Sequence, residues 1–343
     1  MRAVRIARPG GYDRLQLVEL SDPRPGPGEV RVATSAAGVN FADVVVRLGL
    51  YKSAKEYVGW PITPGFEFAG EVAELGPGVS DLAVGERVFG VTRFGGYASQ
   101  LCVARAQLFR VPEGMSLLQA ATFPTVFLTA HYALREIVRL RPGARVLIHA
   151  AAGGVGLAAL QLCRALSCEA VGVVGAPHKR ELAHAFGAAH VIDKSSEPLW
   201  PRAQQLAPRG FDVVLDSNGV ETLAQSYAHL RPTGRLVVYG FHSMLRRGQA
   251  RASWLKLAWD YLRTPRFHPL QMVDANKGVI AFNLSYLFSE QALLVEAMQQ
   301  LLHEVSERRI APLPVREFPM AAAAEAHREL QSGSTTGKLA LVP

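Results

Sequence analysis

The run Val146-Leu-Ile-His-Ala-Ala-Ala-Gly-Gly-Val-Gly156 constrains this chain more than any other segment. A short apolar strand runs into a turn of small residues, and an apolar helix carrying Leu157, Leu160, Leu162 and Leu166 follows. A dinucleotide pyrophosphate needs this order. Small residues let the backbone approach the phosphates, and the free N–H groups at the helix start bind their charge. The pattern is A-x-G-x-x-G, with Ala151 in place of the first glycine and with Gly153, Gly154, Val155 and Gly156 forming the expected cradle.

The next strand selects among dinucleotides. Ala170-Val-Gly-Val-Val174 ends in Gly175-Ala-Pro177, where an NAD site carries Asp or Glu for the ribose hydroxyls. His178-Lys179-Arg180 follow at once. A carboxylate repels a 2′-phosphate, whereas Lys179 and Arg180 pair with one. The cofactor expected is NADPH, with Gly175 at the strand end. Two cations that merely solvate a helix start leave the missing acid unexplained.

The net charge of +8 admits polyanionic partners. No dense basic run or nucleic-acid-binding motif occurs, so a phosphate-bearing cofactor is expected and nucleic acid is not. Cys102, Cys163 and Cys168 are too few and scattered for a disulfide framework. Cys163 is expected to pack in the apolar helix, and a reducing, cytoplasmic setting fits. The start, Met1-Arg-Ala-Val-Arg-Ile6, reads as a strand rather than a signal peptide, and no apolar run is long enough to span a bilayer.

Residues 1–124 read as short strands punctuated by Pro9-Gly-Gly11, Pro64-Gly65 and Gly76-Pro-Gly78, which suggests a small β-barrel. Residues 125–287 alternate strand and helix, with strands predicted at 144–149, 170–174, 190–192, 211–215 and 235–239 and a last one at 278–282. That spacing predicts an α/β fold with a Rossmann-type, doubly wound parallel sheet. Residues 288–343 hold an amphipathic helix over 289–309 and a short β tail that rejoins the first domain. Residues 244–270 mix Arg246, Arg247, Arg251, Lys256, Arg263 and Arg266 with Trp254, Trp259 and Tyr261. Such a stretch either covers a cleft or subunit contact, or lies on a membrane surface.

The chain resembles the medium-chain dehydrogenase/reductase superfamily over nearly its full length. Ala150-Ala-Ala-Gly-Gly-Val-Gly156, Gly38-Val-Asn-Phe-Ala-Asp43 and Leu128-Thr-Ala130 are similar to its zinc-free quinone oxidoreductase branch, which includes zeta-crystallin. Gly10-Gly-Tyr-Asp13, Gly49-Leu-Tyr51, Leu160-Gln-Leu-Cys-Arg164 and Gln271-Met-Val-Asp-Ala-Asn276 resemble the vesicle amine transport protein-like subgroup. The resemblance implies a GroES-like, β-barrel-type catalytic domain beside the Rossmann-type sheet, and a homodimer. Zinc-dependent relatives carry a cysteine where this chain has Asn40 and a histidine where it has Phe66. Glu67 alone cannot hold zinc, so no metal is expected. Without a Lewis acid for an alkoxide, the chemistry implied is NADPH-dependent reduction of a quinone or an α,β-unsaturated carbonyl.

By the same resemblance, Asn40 and Asp43 lie near the nicotinamide and the cleft floor, and Tyr51 lies over the cleft as a hydrogen-bond donor. Thr129 lies near the phosphates, Lys179 at the 2′-phosphate, and Phe282 and Leu284 beside the nicotinamide amide. Many relatives place a tyrosine against the adenosine where this chain has Asp193. Asn218, Gly240, Phe241 and His242 fall at the carboxyl ends of later strands, where open α/β sheets bind ligands. His242 is a candidate proton donor beside Tyr51, Asn40 and Asp43, whereas His149 and His131 are expected to be packed. Two alternatives stand. Polyketide-type enoyl reductases share the glycine turn but often carry Lys and Asp where this chain has Phe241-His-Ser243. A cofactor-binding, membrane- or lipid-associated protein with little catalysis is the other, with peripheral membrane contact through 244–270.

Overall fold

In a computed structural model that describes residues 1–343, the strand Arg145–Ile148 occupies the middle of a six-stranded parallel sheet. The spatial order is His190–Asp193, Glu169–Val174, Arg145–Ile148, Phe211–Asp216, Leu230–Val238 and Gly278–Ala281. The chain builds outward from 145–148 to one edge, then restarts at 211–216 on the other side, so a crevice opens at the carboxyl ends of these two central strands. Both faces of the sheet are covered. Val146 and Ile148 pack with Leu157, Leu160 and Cys163 of the helix Gly154–Ala165, while Leu147, Val171 and Val214 pack on the far face with Ile192 and Phe211. Burial on two sides is why these strands read as unbroken apolar runs instead of alternating ones.

The second sheet is built on the long strand Glu29–Val39, which pairs antiparallel with Glu67–Leu75, Gln100–Ala104 and Lys338–Val342. It extends to Leu108–Arg110 at one end and Val315–Pro319 at the other. The tail therefore returns to the first domain, with Leu339 opposite Val39. The fold is thus α/β, a Rossmann-type parallel sheet beside a second, largely antiparallel β domain. No helix is long and apolar enough to cross a membrane.

Two elements depart most from the predicted boundaries. The strand ending at Val238 begins at Leu230, because Thr233 takes a left-handed φ of 73° and carries the pairing through Pro232-Thr-Gly234 with a shift of register. The tail helix is Gln291–Ser306, preceded by a tighter turn over Leu284–Ser289. Within 244–270 the chain forms the helix Trp254–Arg263, and a second helix, Pro269–Ala275, starts at the end of that stretch.

The turn after Ile148 is tightly specified. Ala150 adopts a φ of 51°, and its carbonyl accepts from Gly153 N–H at 2.9 Å. A Cβ on Gly156 would stand 2.5 Å from that same oxygen and 2.6 Å from Ala151 Cα, so only glycine lets the helix start this close to the strand. Gly156→Ala is expected to destabilise the protein by about 2–4 kcal/mol through this overlap, read as a fall in thermal-unfolding midpoint. An unchanged midpoint contradicts the tight packing.

Candidate active site

A cavity of about 920 Å³ lies at the crevice, between the parallel sheet and the first domain. At its centre is the start of the helix Gly154–Ala165. The preceding Gly153 is extended, and no side chain caps the helix. The first-turn N–H groups of Gly154, Val155 and Gly156 are therefore available to an anion, with the positive end of the helix dipole behind them. The turn thus fits a pyrophosphate on its own chemistry.

Most of the predicted site residues converge on this cavity. Asn40, Tyr51, Thr129, Gly153, Gly154, Val155, Gly156, Gly175, Lys179, Asn218, Gly240, Phe241, His242, Phe282 and Leu284 all line it. Two do not. Arg180 points away, 3.7 Å from Glu197. Asp43 is wholly buried behind the wall, where its carboxylate accepts from the backbone N–H groups of Asn40 (2.9 Å) and Gly65 (2.8 Å). Burial pushes its pKa up to about 7 against those two hydrogen bonds. Asp43 thus braces the start of the helix Phe41–Arg47 instead of facing the cleft.

The wall carries a buried ion pair. Lys338 Nζ, on a side chain 4 % exposed, donates to Glu67 Oε1 (2.8 Å), Asn40 Oδ1 (2.6 Å) and the Val39 carbonyl (3.0 Å). Glu67 is fully buried; it also accepts from Asn40 Nδ2 (2.8 Å) and from Thr125 N–H (2.8 Å). Asn40 is therefore fixed in one amide orientation, oxygen toward lysine and nitrogen toward glutamate. The signal for Lys338 was a single charge heading the apolar strand Lys338–Val342. Its partner is distant in the chain, so spacing could not reveal the pair.

The remaining polar groups are also committed. Thr129 Oγ1 donates to the Thr125 carbonyl at 2.6 Å, leaving lone pairs toward the cavity. Tyr51 Oη donates to Asn283 Oδ1 at 2.8 Å, linking the first domain to the segment after the last parallel strand. Burial raises the pKa of Tyr51, so the phenol stays protonated. The backbone N–H of Asn218 donates to Asp216 Oδ1 at 2.8 Å. Asp216 also accepts from Ser226 Oγ (2.8 Å), which in turn meets His149 Nε2 (3.0 Å). These three residues have the composition of a nucleophilic triad, but all are fully buried, and they serve as a brace for the Asn218 loop. His131 is likewise enclosed, against Gln300.

His242 sits against Phe41, ring centroids 5.9 Å apart. Burial, reinforced by the positive charge of Lys194, lowers its pKa to about 4. The ring is neutral at pH 7, so it lines the cleft as a hydrogen-bonding imidazole and holds no transferable extra proton there.

Family models match two parts of the chain: one described as the alcohol dehydrogenase GroES-like domain over 26–113, and one described as zinc-binding dehydrogenase over 186–341. The rat synaptic vesicle membrane protein VAT-1 homolog is 35 % identical over 100 % of this chain and 84 % of its own length. A quinone oxidoreductase of Pseudomonas aeruginosa is 34 % identical over 100 % of this chain and 99 % of its own. Among solved structures, the Escherichia coli quinone oxidoreductase complexed with NADPH superposes with a TM-score of 0.87 at 29 % identity, covering 100 % of both chains.

Removing the ammonium by Lys338→Met strands the Glu67 carboxylate in the wall. A loss of about 3–5 kcal/mol in denaturant unfolding is expected, with part of it recovered in the Lys338→Met/Glu67→Gln double variant. A single variant as stable as the parent contradicts the pairing.

Proposed function

The chain belongs to the medium-chain dehydrogenase/reductase family, in its quinone oxidoreductase branch close to the VAT-1 homologues, and on that basis we propose that it reduces quinones or α,β-unsaturated carbonyls with NADPH and without zinc. The observation that carries the proposal is one cavity that joins an uncapped helix start, a set of cations and an aromatic lining. The glycine turn 153–156 holds the pyrophosphate, Lys179 the 2′-phosphate, and Phe282 and Leu284 flank the nicotinamide. Phe41, Tyr51, Phe66, Phe282 and Phe288 give the substrate end an aromatic lining, which suits a planar unsaturated carbonyl and keeps water out. Bound NADPH supplies the reducing chemistry.

A zinc ion does not fit the donor set. Asn40 and Phe66 offer neither thiolate nor imidazole, and both oxygens of Glu67 are engaged, by Lys338, Asn40 and Thr125. What the chain provides is orientation and hydrogen bonding. Asn40 is locked by its neighbours. Tyr51 presents its oxygen while its proton is shared with Asn283, so rotation of that hydroxyl is what makes it a donor to a substrate oxygen.

Two further features support the expected partners. The strand Gly278–Ala281 is paired on one side only, by Leu230–Val238, and its open edge suits a second copy across a twofold axis. The helix Trp254–Arg263 leaves Trp254 71 % and Leu255 87 % exposed beside Arg251 and Arg263, which suits peripheral contact with an anionic membrane.

Purified protein is expected to oxidise NADPH in the presence of a quinone or enone, followed by NADPH absorbance; no turnover across a broad panel overturns the proposal. With His242 neutral, the rate is expected to show no inflection near pH 6.5, the ordinary histidine value. An inflection there that disappears in His242→Gln restores the ring as the acid. Co-sedimentation with phosphatidylserine vesicles, absent with neutral ones, tests the membrane contact, and equal recovery from both removes it.

A further inference from the structure

Four cations, Lys179, Lys194, Arg246 and Arg247, also line the cavity. The acids of the adjoining loop face elsewhere. Glu197 lies 3.7 Å from Arg180 and 3.6 Å from Arg202, and Asp193 accepts from the backbone and hydroxyl of Ser195. We propose that Lys194 and Arg247, with Lys179, form the subsite for the 2′-phosphate of NADPH, and that Arg247, carried by the segment after the fifth parallel strand, is a specificity-determining residue for NADPH over NADH. The proposal rests on the NADPH reading above and extends it to residues for which neither the glycine motif nor the basic pair 179–180 provides.

Three observations carry it. First, Lys194 stands beside the position an NAD-type acid would take. Its Cε lies 3.6 Å from where a Cβ on Gly175 would stand, at the end of the strand Glu169–Val174. A lysine side chain thus lies next to the position from which a carboxylate binds ribose hydroxyls in NAD sites.

Second, Arg247 and Lys179 converge on Gly333. Lys179 Nζ donates to the Gly333 carbonyl at 2.6 Å, and Arg247 Nε and Cζ lie 3.5 and 3.8 Å from where a Cβ on that glycine would stand. Burial, with Arg247 adding to it, lowers the pKa of Lys179. Like charges gathered without a counter-charge repel one another, and a bound phosphate dianion relieves that repulsion while a guanidinium grips it through two parallel bonds.

Third, the backbone that carries Arg247 is anchored. Gly248 N–H donates to the Gln331 carbonyl (3.1 Å), Gln331 Nε2 donates to the Gln249 carbonyl (3.2 Å), and the fully buried Arg47 donates through Nη1 to the Ala250 carbonyl (2.8 Å). The segment is tied to the helix Ala323–Ser332 on one side and to the first domain on the other. Arg247 is therefore presented to the cleft by backbone fixed over the three residues that follow it, and it takes the place that Arg180, turned toward Glu197, does not fill.

Calorimetric titration of the full chain with NADPH and NADH tests the assignment without turnover. Wild-type protein is expected to prefer NADPH. Arg247→Ala is expected to weaken NADPH about tenfold or more while NADH changes less than about twofold, since one charge-assisted contact is removed. Lys194→Ala is expected to move in the same direction, and Arg263→Ala, on the exposed helix, to move neither. Unchanged NADH affinity in the variants also shows that they are folded. The subsite is overturned if wild type binds both nucleotides equally, or if Arg247→Ala weakens both alike or neither. A wild-type protein that binds neither nucleotide overturns the NADPH reading itself and this subsite with it.

Discussion

The cleft depends on a buried contact between residues 271 positions apart, Glu67 and Lys338. Two charges removed from water are tolerable only if each is paired and its remaining hydrogen-bonding capacity is filled. Here Glu67 gathers an ammonium, an amide N–H of Asn40 and the backbone N–H of Thr125, while Lys338 is shared among three oxygens. Those partners belong to the long strand of the first domain, the helix that leads into the parallel sheet, and the tail strand. Satisfying one carboxylate therefore fixes three parts of the chain at one point, and that point is the wall of the cavity.

From this node the division of labour in the cleft follows. The lining supplies aromatic rings, unclaimed N–H groups at a helix start, and cations. Each side chain that looks reactive has its proton accounted for. The Tyr51 hydroxyl is spent on Asn283, Thr129 on its own helix, and His242 is neutral. Asp43 supports backbone from behind. A site so arranged binds, orients and excludes water, which suits chemistry brought by a cofactor more than chemistry performed by a strong acid or base.

Features governed by local or near-local physics were legible in the chain. The strand–glycine turn–helix order, the apolar runs of the parallel strands and the missing acid after Val174 each depend on residues close together in sequence. Lys179 was found from the basic pair after the missing acid, and the cleft-lining residues 240–242 because strand ends in such sheets face the ligand. The misreadings have the opposite character. Arg180 and Lys179 are adjacent, yet one turns to Glu197 and the other to the cleft. Asp43 lies three positions from Asn40, yet a cap to its own helix draws it behind the wall. Lys194, Lys338 and Arg247 carried no motif, because their partners Gly175, Glu67 and Gly333 are brought to them only by folding.

The sequence by itself determined the architecture and the small-residue turn at its centre, since the period of apolar residues and the size of turn residues act over a few positions and allow few solutions. Only the tertiary structure decided which charges meet. A side chain's electrostatic partner depends on where strands far apart in the chain are brought together, and on which carbonyls and carboxylates claim each cation first. That competition turned Arg180 outward and buried Lys338 against Glu67, while folding also brought Arg247 to the cleft and enclosed His242 so that burial keeps it neutral.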